Sequence, residues 1–229
     1  LMKNYIKNEK VYTYLRDYKP FDYQIPSTKL DFHIEKDHIE VISEYELIKK
    51  NLNTNKVKFK GLGIKLIEIS IDNNVLKKGE YKINNEELII NCINKIRTTL
   101  KIKCKVNHKD NKNLLGIYES NKIITTQCEA EGFRRITYHP DRPDILSKYQ
   151  VKIIADRVNY PILLSNGNLV SNTILDENKH EAIWVDPHPK PSYLFALVAG
   201  DLKCITDKYF TKKNKRKINI NLYVENGDE

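Results

Sequence analysis

Strict alternation of apolar and polar residues constrains this chain most. Leu30, Phe32 and Ile34 are separated by polar residues, Glu35-Lys-Asp-His38 interrupts, and Ile39, Val41, Ser43, Tyr45 and Leu47 resume the period of two. Successive strand side chains point to opposite faces, so this spacing predicts a hairpin with one buried face. The pattern recurs. Ile67, Ile69 and Ile71 lead into Asp72-Asn-Asn74, and Tyr81 and Ile83 lead into Asn84-Asn-Glu-Glu87, followed by the apolar run Leu88-Ile-Ile90. Leu100, Ile102, Cys104 and Val106 alternate with Lys101, Lys103 and Lys105. Those lysines are expected on a solvated face, where charge also discourages edge pairing, rather than along a phosphate track.

Farther on, strands are expected at 151–158, 161–164, 169–175 and 182–185, with a hairpin-type turn at Ser165-Asn-Gly-Asn168. Pro187, Pro189 and Pro191 predict a stiff extended connector into Tyr193-Leu-Phe-Ala-Leu-Val-Ala199. The last piece reads as a hairpin, 204–210 against 218–224. One short helix is expected near 141–149, with Asp141 as its cap and Pro143 in the first turn, where a missing N–H does little harm. Residues 1–29, broken by Pro20 and Pro26, predict an extended lead-in. Many short strands, polar turns and no internal repeat imply an all-β sandwich or saddle-shaped assembly of sheets.

Composition narrows the functional classes. The 229 residues suffice for a core without disulfide staples. No apolar run approaches the ~18 residues that span a bilayer, so no integral membrane segment is expected. Leu1-Met2-Lys3-Asn4-Tyr5 lacks the apolar core of a signal peptide, and a cytoplasmic location is expected. The net charge of +9 raises nucleic acid as a partner. Lysine is nevertheless dispersed rather than gathered on one face, and abundant Ile and Asn accompany it, so the charge reads as compositional bias and no nucleic acid partner is expected. The basic tip Lys212-Lys-Asn-Lys-Arg-Lys217 reads as a solvated turn. Cysteines 92, 104, 128 and 204 form no Cys-x-x-Cys pair and read as reduced, buried small hydrophobes.

The segment Thr126-Gln-Cys-Glu-Ala-Glu-Gly-Phe-Arg-Arg135 carries an order of polar side chains that solubility does not explain. Read as a strand, it places Gln127, Glu129 and Glu131 on one face and Cys128 and Ala130 on the other. That polar face suits ligand recognition, and the alternation turns Cys128 inward as packing rather than as a nucleophile. Other chemistry fails on inspection. His180-Glu-Ala-Ile-Trp184 begins like a zinc-peptidase helix but ends in Trp, which cannot donate to zinc. Gly61-Leu-Gly63 lacks a third glycine and a following helix. The six histidines show no ligand-like spacing; His139 follows the polar segment and reads as a surface or hydrogen-bonded residue.

Thr126-Gln-Cys-Glu-Ala-Glu-Gly-Phe-Arg134, Asp141-Arg-Pro-Asp144, Ser165-Asn-Gly-Asn168, Pro189-Lys-Pro191 and Tyr193-Leu-Phe-Ala-Leu-Val-Ala-Gly-Asp201 together resemble the aminopeptidase N family of bacterial zinc metallopeptidases. The resemblance is dense from about residue 116 to 224 and looser before that, where Arg16-Asp-Tyr18 and Asp22-Tyr-Gln-Ile25 also fit. It implies a β-rich, saddle-shaped N-terminal domain over residues 1–201, with 202–229 beginning the catalytic domain as its first hairpin. It implies an enzyme that releases N-terminal amino acids from peptides with one zinc ion, bound by His-Glu-x-x-His and a downstream Glu. Neither occurs in these residues, so the chain alone is expected to be inactive. The resemblance further implies that Gln127 and Glu129 bind substrate, Glu129 together with the Glu of a Gly-Ala-Met-Glu-Asn loop holding the free α-ammonium. A charge-assisted hydrogen bond of that kind is worth roughly 1.5–3 kcal/mol, and only a peptide with a free amine can form it. The implied partners are peptides with a free N-terminus and the chain's own catalytic domain. Glu131 takes no role from the resemblance and is expected at the surface or an interface. A different class of reading fits the same residues: a non-enzymatic β-sandwich binding module, or a remnant of that enzyme. A third is a basic nucleic-acid binder centred on residues 212–217.

Overall fold

The computed structural model describes residues 14–228. The opening Leu1-Met2-Lys3-Asn4-Tyr5 and the first part of the expected lead-in lie outside the described residues. Strands dominate the described chain. They run β1 (Tyr23–Gln24), β2 (Ser27–Ile34), β3 (Ile39–Lys49), β4 (Val57–Lys60), β5 (Ile64–Ile71) and β6 (Asn74–Val75). Next come β7 (Tyr81–Asn84), β8 (Glu87–Ile90), β9 (Arg97–Val106), β10 (Gly116–Ser120), β11 (Ile123–Gln127) and β12 (Ser147–Asp156). The last are β13 (Ile162–Ser165), β14 (Asn168–Ile174), β15 (Lys179–Lys190), β16 (Leu197–Gly200), β17 (Leu202–Phe210) and β18 (Lys217–Glu225). Helical residues among those described are confined to three 3₁₀ turns, Leu15–Asp17, Phe133–Arg135 and Ser192–Leu194. The all-β expectation holds.

The alternation at residues 30–47 folds as the hairpin β2–β3, with Phe32 opposite Val41 and Leu30 opposite Ser43. This hairpin lies at the centre of a long sheet ordered β14-β15-β12-β2-β3-β9-β5-β6. β12 runs parallel to β2, and the other pairs in the sheet are antiparallel. One face of the long sheet is buried under two smaller sheets, β10-β11-β16-β13 and β4-β8-β7. Phe32, Val41, Val151 and Ile153 pack with Ile117, Ile124 and Leu197 of the first; Tyr45, Leu47, Leu100 and Ile102 pack with Phe59, Leu88 and Ile90 of the second. The opposite face carries cross-strand ion pairs, Lys29–Glu44 at 2.9 Å, Lys103–Glu40 at 2.8 Å and Lys152–Asp31 at 2.9 Å, with Arg97 also paired to Glu46. The lysines of β9 therefore sit on a solvated strand face, as expected.

Several local expectations are overturned, among them the burial of all four cysteines, since Cys92 is only half-buried and Cys204 is exposed. The helix near 141–149 does not form: Asp141 has φ +50°, outside the helical region, and residues 147–156 make strand β12 with alternate side chains buried. The period of two, reinforced by parallel pairing with β2, outweighs the capping signal. Ser165-Asn-Gly-Asn168 is not a hairpin turn, because β13 pairs with β16 while β14 pairs with β15. Instead Asn166 bonds the Leu194 carbonyl and accepts from the Ala196 amide, steering the chain from one sheet to the other. Gly167, at φ +89°, is needed there, since a Cβ would stand 2.3 Å from the Val185 carbonyl oxygen. The proline connector is partly strand: β15 continues through Pro187 and Pro189, beyond the point where β14 stops pairing at Val185 and their missing N–H groups would matter. Finally, a bulge between Leu66 and Glu68 breaks the alternation of β5, leaving Ile67 exposed while Ile69 stays buried.

Candidate functional site

Gln127 ends β11, where it pairs with Gly116 of β10. The segment does not continue as a strand, so the single polar face expected for Gln127, Glu129 and Glu131 does not exist. Residues 128–132 close a turn, with the Gly132 amide donating to the Cys128 carbonyl at 2.8 Å and a cis peptide bond between Glu129 and Ala130. A 3₁₀ turn, Phe133–Arg135, comes next. Close approach explains the composition: a Cβ on Gly132 would lie 2.3 Å from the Gln127 carbonyl oxygen and 2.8 Å from the Cys128 Cα. Only glycine lets the turn fold back on itself here.

The turn is anchored on both sides by apolar side chains. Cys128 is buried in the core, and burial pushes its thiol pKa up, which suppresses the thiolate and leaves it as packing. Phe133 is fully buried and meets Phe195 edge-on, with ring centroids 5.3 Å apart. Beside these anchors Gln127, Glu129, Ala130 and Glu131 are exposed. The Gln127 amide Nε2 donates to the Glu129 carbonyl at 3.4 Å. Among the described residues, no hydrogen bond or ion pair reaches the Glu129 carboxylate. Glu131 differs, because its carboxylate pairs with Arg134 Nη2 at 3.0 Å. Of two large grooves on the surface, the one of about 720 Å³ adjoins the turn, being lined by Glu131, Arg134 and Asp141 among others, while Gln127 and Glu129 line neither it nor the other of about 810 Å³.

Behind the turn lies a buried polar seam where the two smaller sheets meet, which the sequence pattern did not predict. The Asp141 carboxylate accepts from the Arg134 backbone amide at 3.1 Å, from Arg134 Nε at 2.9 Å and from the Ser192 hydroxyl at 2.8 Å. The Asp141 amide in turn donates to His139 Nδ1 at 2.8 Å. His139 is therefore a buried, hydrogen-bonded residue, and burial drives its pKa down to about 4, so the imidazole is neutral at neutral pH. Ser43 shares a hydrogen bond with Thr137, and the Tyr45 hydroxyl donates to the Tyr138 carbonyl at 2.7 Å. The two prolines flanking Asp141-Arg142 were the available signal, since they deprive that stretch of backbone donors and favour a side-chain-tethered loop.

His180 stands on strand β15, not on a helix, and its Nε2 is 2.7 Å from the Tyr160 carbonyl oxygen. Among the described residues no three His, Cys, Asp or Glu side chains come together as a metal site. The tip at residues 212–217 is an exposed turn. No helix among the described residues is long and apolar enough to cross a membrane. The geometry offers an exposed carboxylate and amide on a well-anchored turn, suited to binding a cationic group.

Residues 26–194 match the family model described as the Peptidase M1 N-terminal domain. The chain is 42% identical to aminopeptidase N of Caulobacter vibrioides over 213 residues, covering 93% of this chain and 24% of that protein. It is 39% identical to aminopeptidase N of Escherichia coli over 215 residues, covering 94% and 24%. Among solved structures, Legionella pneumophila aminopeptidase A in complex with aspartic acid superposes with a TM-score of 0.86 at 36% identity, covering 93% of this chain and 25% of that one. An M1 zinc metallopeptidase from Deinococcus radiodurans shares the fold, with a TM-score of 0.74 at 10% identity, over 90% of this chain and 48% of its own. The chain thus spans about a quarter of the length of the curated relatives it matches. With a matched domain over most of its length and such identity to these relatives, the chain belongs to the M1 peptidase family and carries that family's N-terminal domain.

Proposed function

We propose that this chain is the amine-anchoring part of a zinc aminopeptidase, with Gln127 and Glu129 holding the free N-terminus of a peptide substrate. The observation that carries the reading is the state of the Glu129 carboxylate. It is exposed, no described cation claims it, and its turn is fixed by buried residues on both sides. An ammonium ion donating to it gains a charge-assisted hydrogen bond, and an internal peptide bond offers no such donor. The similar aminopeptidase A is described with aspartic acid, a ligand that also bears a free α-amine. The residues present do not fit zinc, since no suitable donor cluster exists among those described. The role assigned to this chain is therefore binding and orientation.

An open turn whose Glu129 carboxylate lies outside the adjoining groove makes half a site, and a second body must supply the rest. On this reading residues 1–201 form the N-terminal β-domain, and the β17–β18 hairpin begins the catalytic domain. The hairpin is a two-stranded sheet with Ile205, Tyr209, Phe210, Ile220 and Leu222 exposed. Such a ribbon is marginal by itself, which supports further chain packing on it. The four free cysteines support a reducing, cytoplasmic location.

The test is Glu129→Ala in the longest natural form of the protein. Turnover of peptides with a free amine should fall by roughly 10- to 150-fold in kcat/KM, the equivalent of losing about 1.5–3 kcal/mol. Unchanged turnover would remove the anchor role. If the natural protein has no peptidase activity at all, the non-enzymatic binding module replaces the enzyme reading.

A further inference from the structure

The turn bearing Gln127 and Glu129 is tied at both ends to one short segment of chain, residues 192–197. On the entry side, the Leu197 amide donates to Thr126 Oγ1 at 2.9 Å, and the Thr126 hydroxyl lies 3.3 Å from the Leu197 carbonyl oxygen it can donate to. On the exit side, Ser192 Oγ donates to Asp141 Oδ1 at 2.8 Å, while Asp141 Oδ2 accepts from the Arg134 amide and Nε. The same arginine extends Nη2 to Glu131 at 3.0 Å, inside the turn itself. Between the two ties, Phe195 meets Phe133. Thr126 is half-buried, and Asp141 and Ser192 are buried, so these bonds are shielded from competing water.

We infer that Asp141 and Ser192 are positioning residues, which fix the Glu129 turn against the 192–197 segment and so set where the substrate's ammonium is held. Neither side chain touches the ligand. Both act through Arg134 and the turn backbone. The inference rests on the anchor reading proposed above. A binding carboxylate displaced by a fraction of an ångström loses alignment while the chemical step, performed elsewhere, is unchanged. Loss of the brace should therefore appear in KM rather than in kcat.

The experiment uses the longest natural form of the protein, an unblocked aminoacyl arylamide as substrate, and hydrogen exchange of the peptide containing residues 129–132. Ser192→Ala removes one hydroxyl and leaves the Arg134–Asp141 pair, so it should fold even where Asp141→Asn does not. The expected result is roughly a tenfold rise in KM with kcat within about twofold, faster exchange at 129–132, and recovery of both in Ser192→Thr. Three results would overturn the inference. In the first, exchange and KM both stay at their original values. In the second, exchange quickens and KM stays while Glu129→Ala raises it, so the brace holds the turn without serving the anchor. In the third, Glu129→Ala also leaves kcat/KM unchanged, in which case the anchor reading has failed and the positioning role goes with it.

Discussion

At the scale of single residues, two glutamates that stand two positions apart and look alike in sequence have different surroundings. Glu131 is occupied by Arg134, whereas Glu129 is open to solvent. Glu131→Ala is accordingly expected to change kcat/KM for free-amine peptides by less than about fivefold, below the loss in Glu129→Ala, because an exposed pair contributes roughly 0–1 kcal/mol. Steady-state assays of the two variants side by side make the comparison. Gly132 is constrained by space rather than by its backbone angle, since its φ of −83° suits any residue. Gly132→Ala drives a methyl group against the Gln127 and Cys128 backbone and should destabilise the fold by about 1–3 kcal/mol in urea unfolding.

At the scale of elements, the buried seam around residues 133–141 gives the fold a specific response to acid. His139 is held below its unfolded pKa, so the unfolded chain binds a proton that the folded chain does not as pH falls from about 6.5 toward about 4. The stabilisation is complete above that window and is lost on descending through it, by about 3 kcal/mol for this group. Burial shifts His108 in the same direction, so it adds to the same trend. Thermal melts should therefore fall steeply between pH 6.5 and 4, and a profile flat across that window would contradict the buried, neutral imidazole. The ion pairs on the outer face of the long sheet behave differently. Glu44→Gln, which breaks the pair with Lys29, should cost less than about 1 kcal/mol, with the difference shrinking in high salt.

At the scale of the whole molecule, the long sheet and its two covering sheets form one body, and the β17–β18 hairpin contributes little to it. Its side-chain ties to the rest are peripheral, such as Asn121 Nδ2 to Glu225 at 3.3 Å. A chain ending at Asp201 should unfold at nearly the same temperature as the 229-residue chain, whereas Phe133→Ala, in the packed body, should cost about 3–5 kcal/mol. Calorimetry of the two variants tests whether the hairpin is an appendage.

The sequence by itself determined the class of fold, because alternation is a local property: Leu30 to Leu47 dictate a hairpin whatever surrounds them, and β17–β18 and the solvated lysines of β9 were equally legible. Ordered blocks that resemble a family pointed to the residues proposed for the site, and the alternation pointed to the inward fate of Cys128. Tertiary structure alone decided how those residues are presented. Asp141 looks like a helix cap until Ser192, distant in sequence, joins the nearby Arg134 in sharing its carboxylate. Ser165–Asn168 looks like a hairpin turn until β13 and β14 find different partners. Glu129 and Glu131 look like one polar face until Gly132 folds the turn back and Arg134 claims one of them. The first two outcomes depend on contacts between segments that meet only in the folded chain, and the third on a tight local turn that overrides the alternation; a period of two carries no information about which partner a group will find.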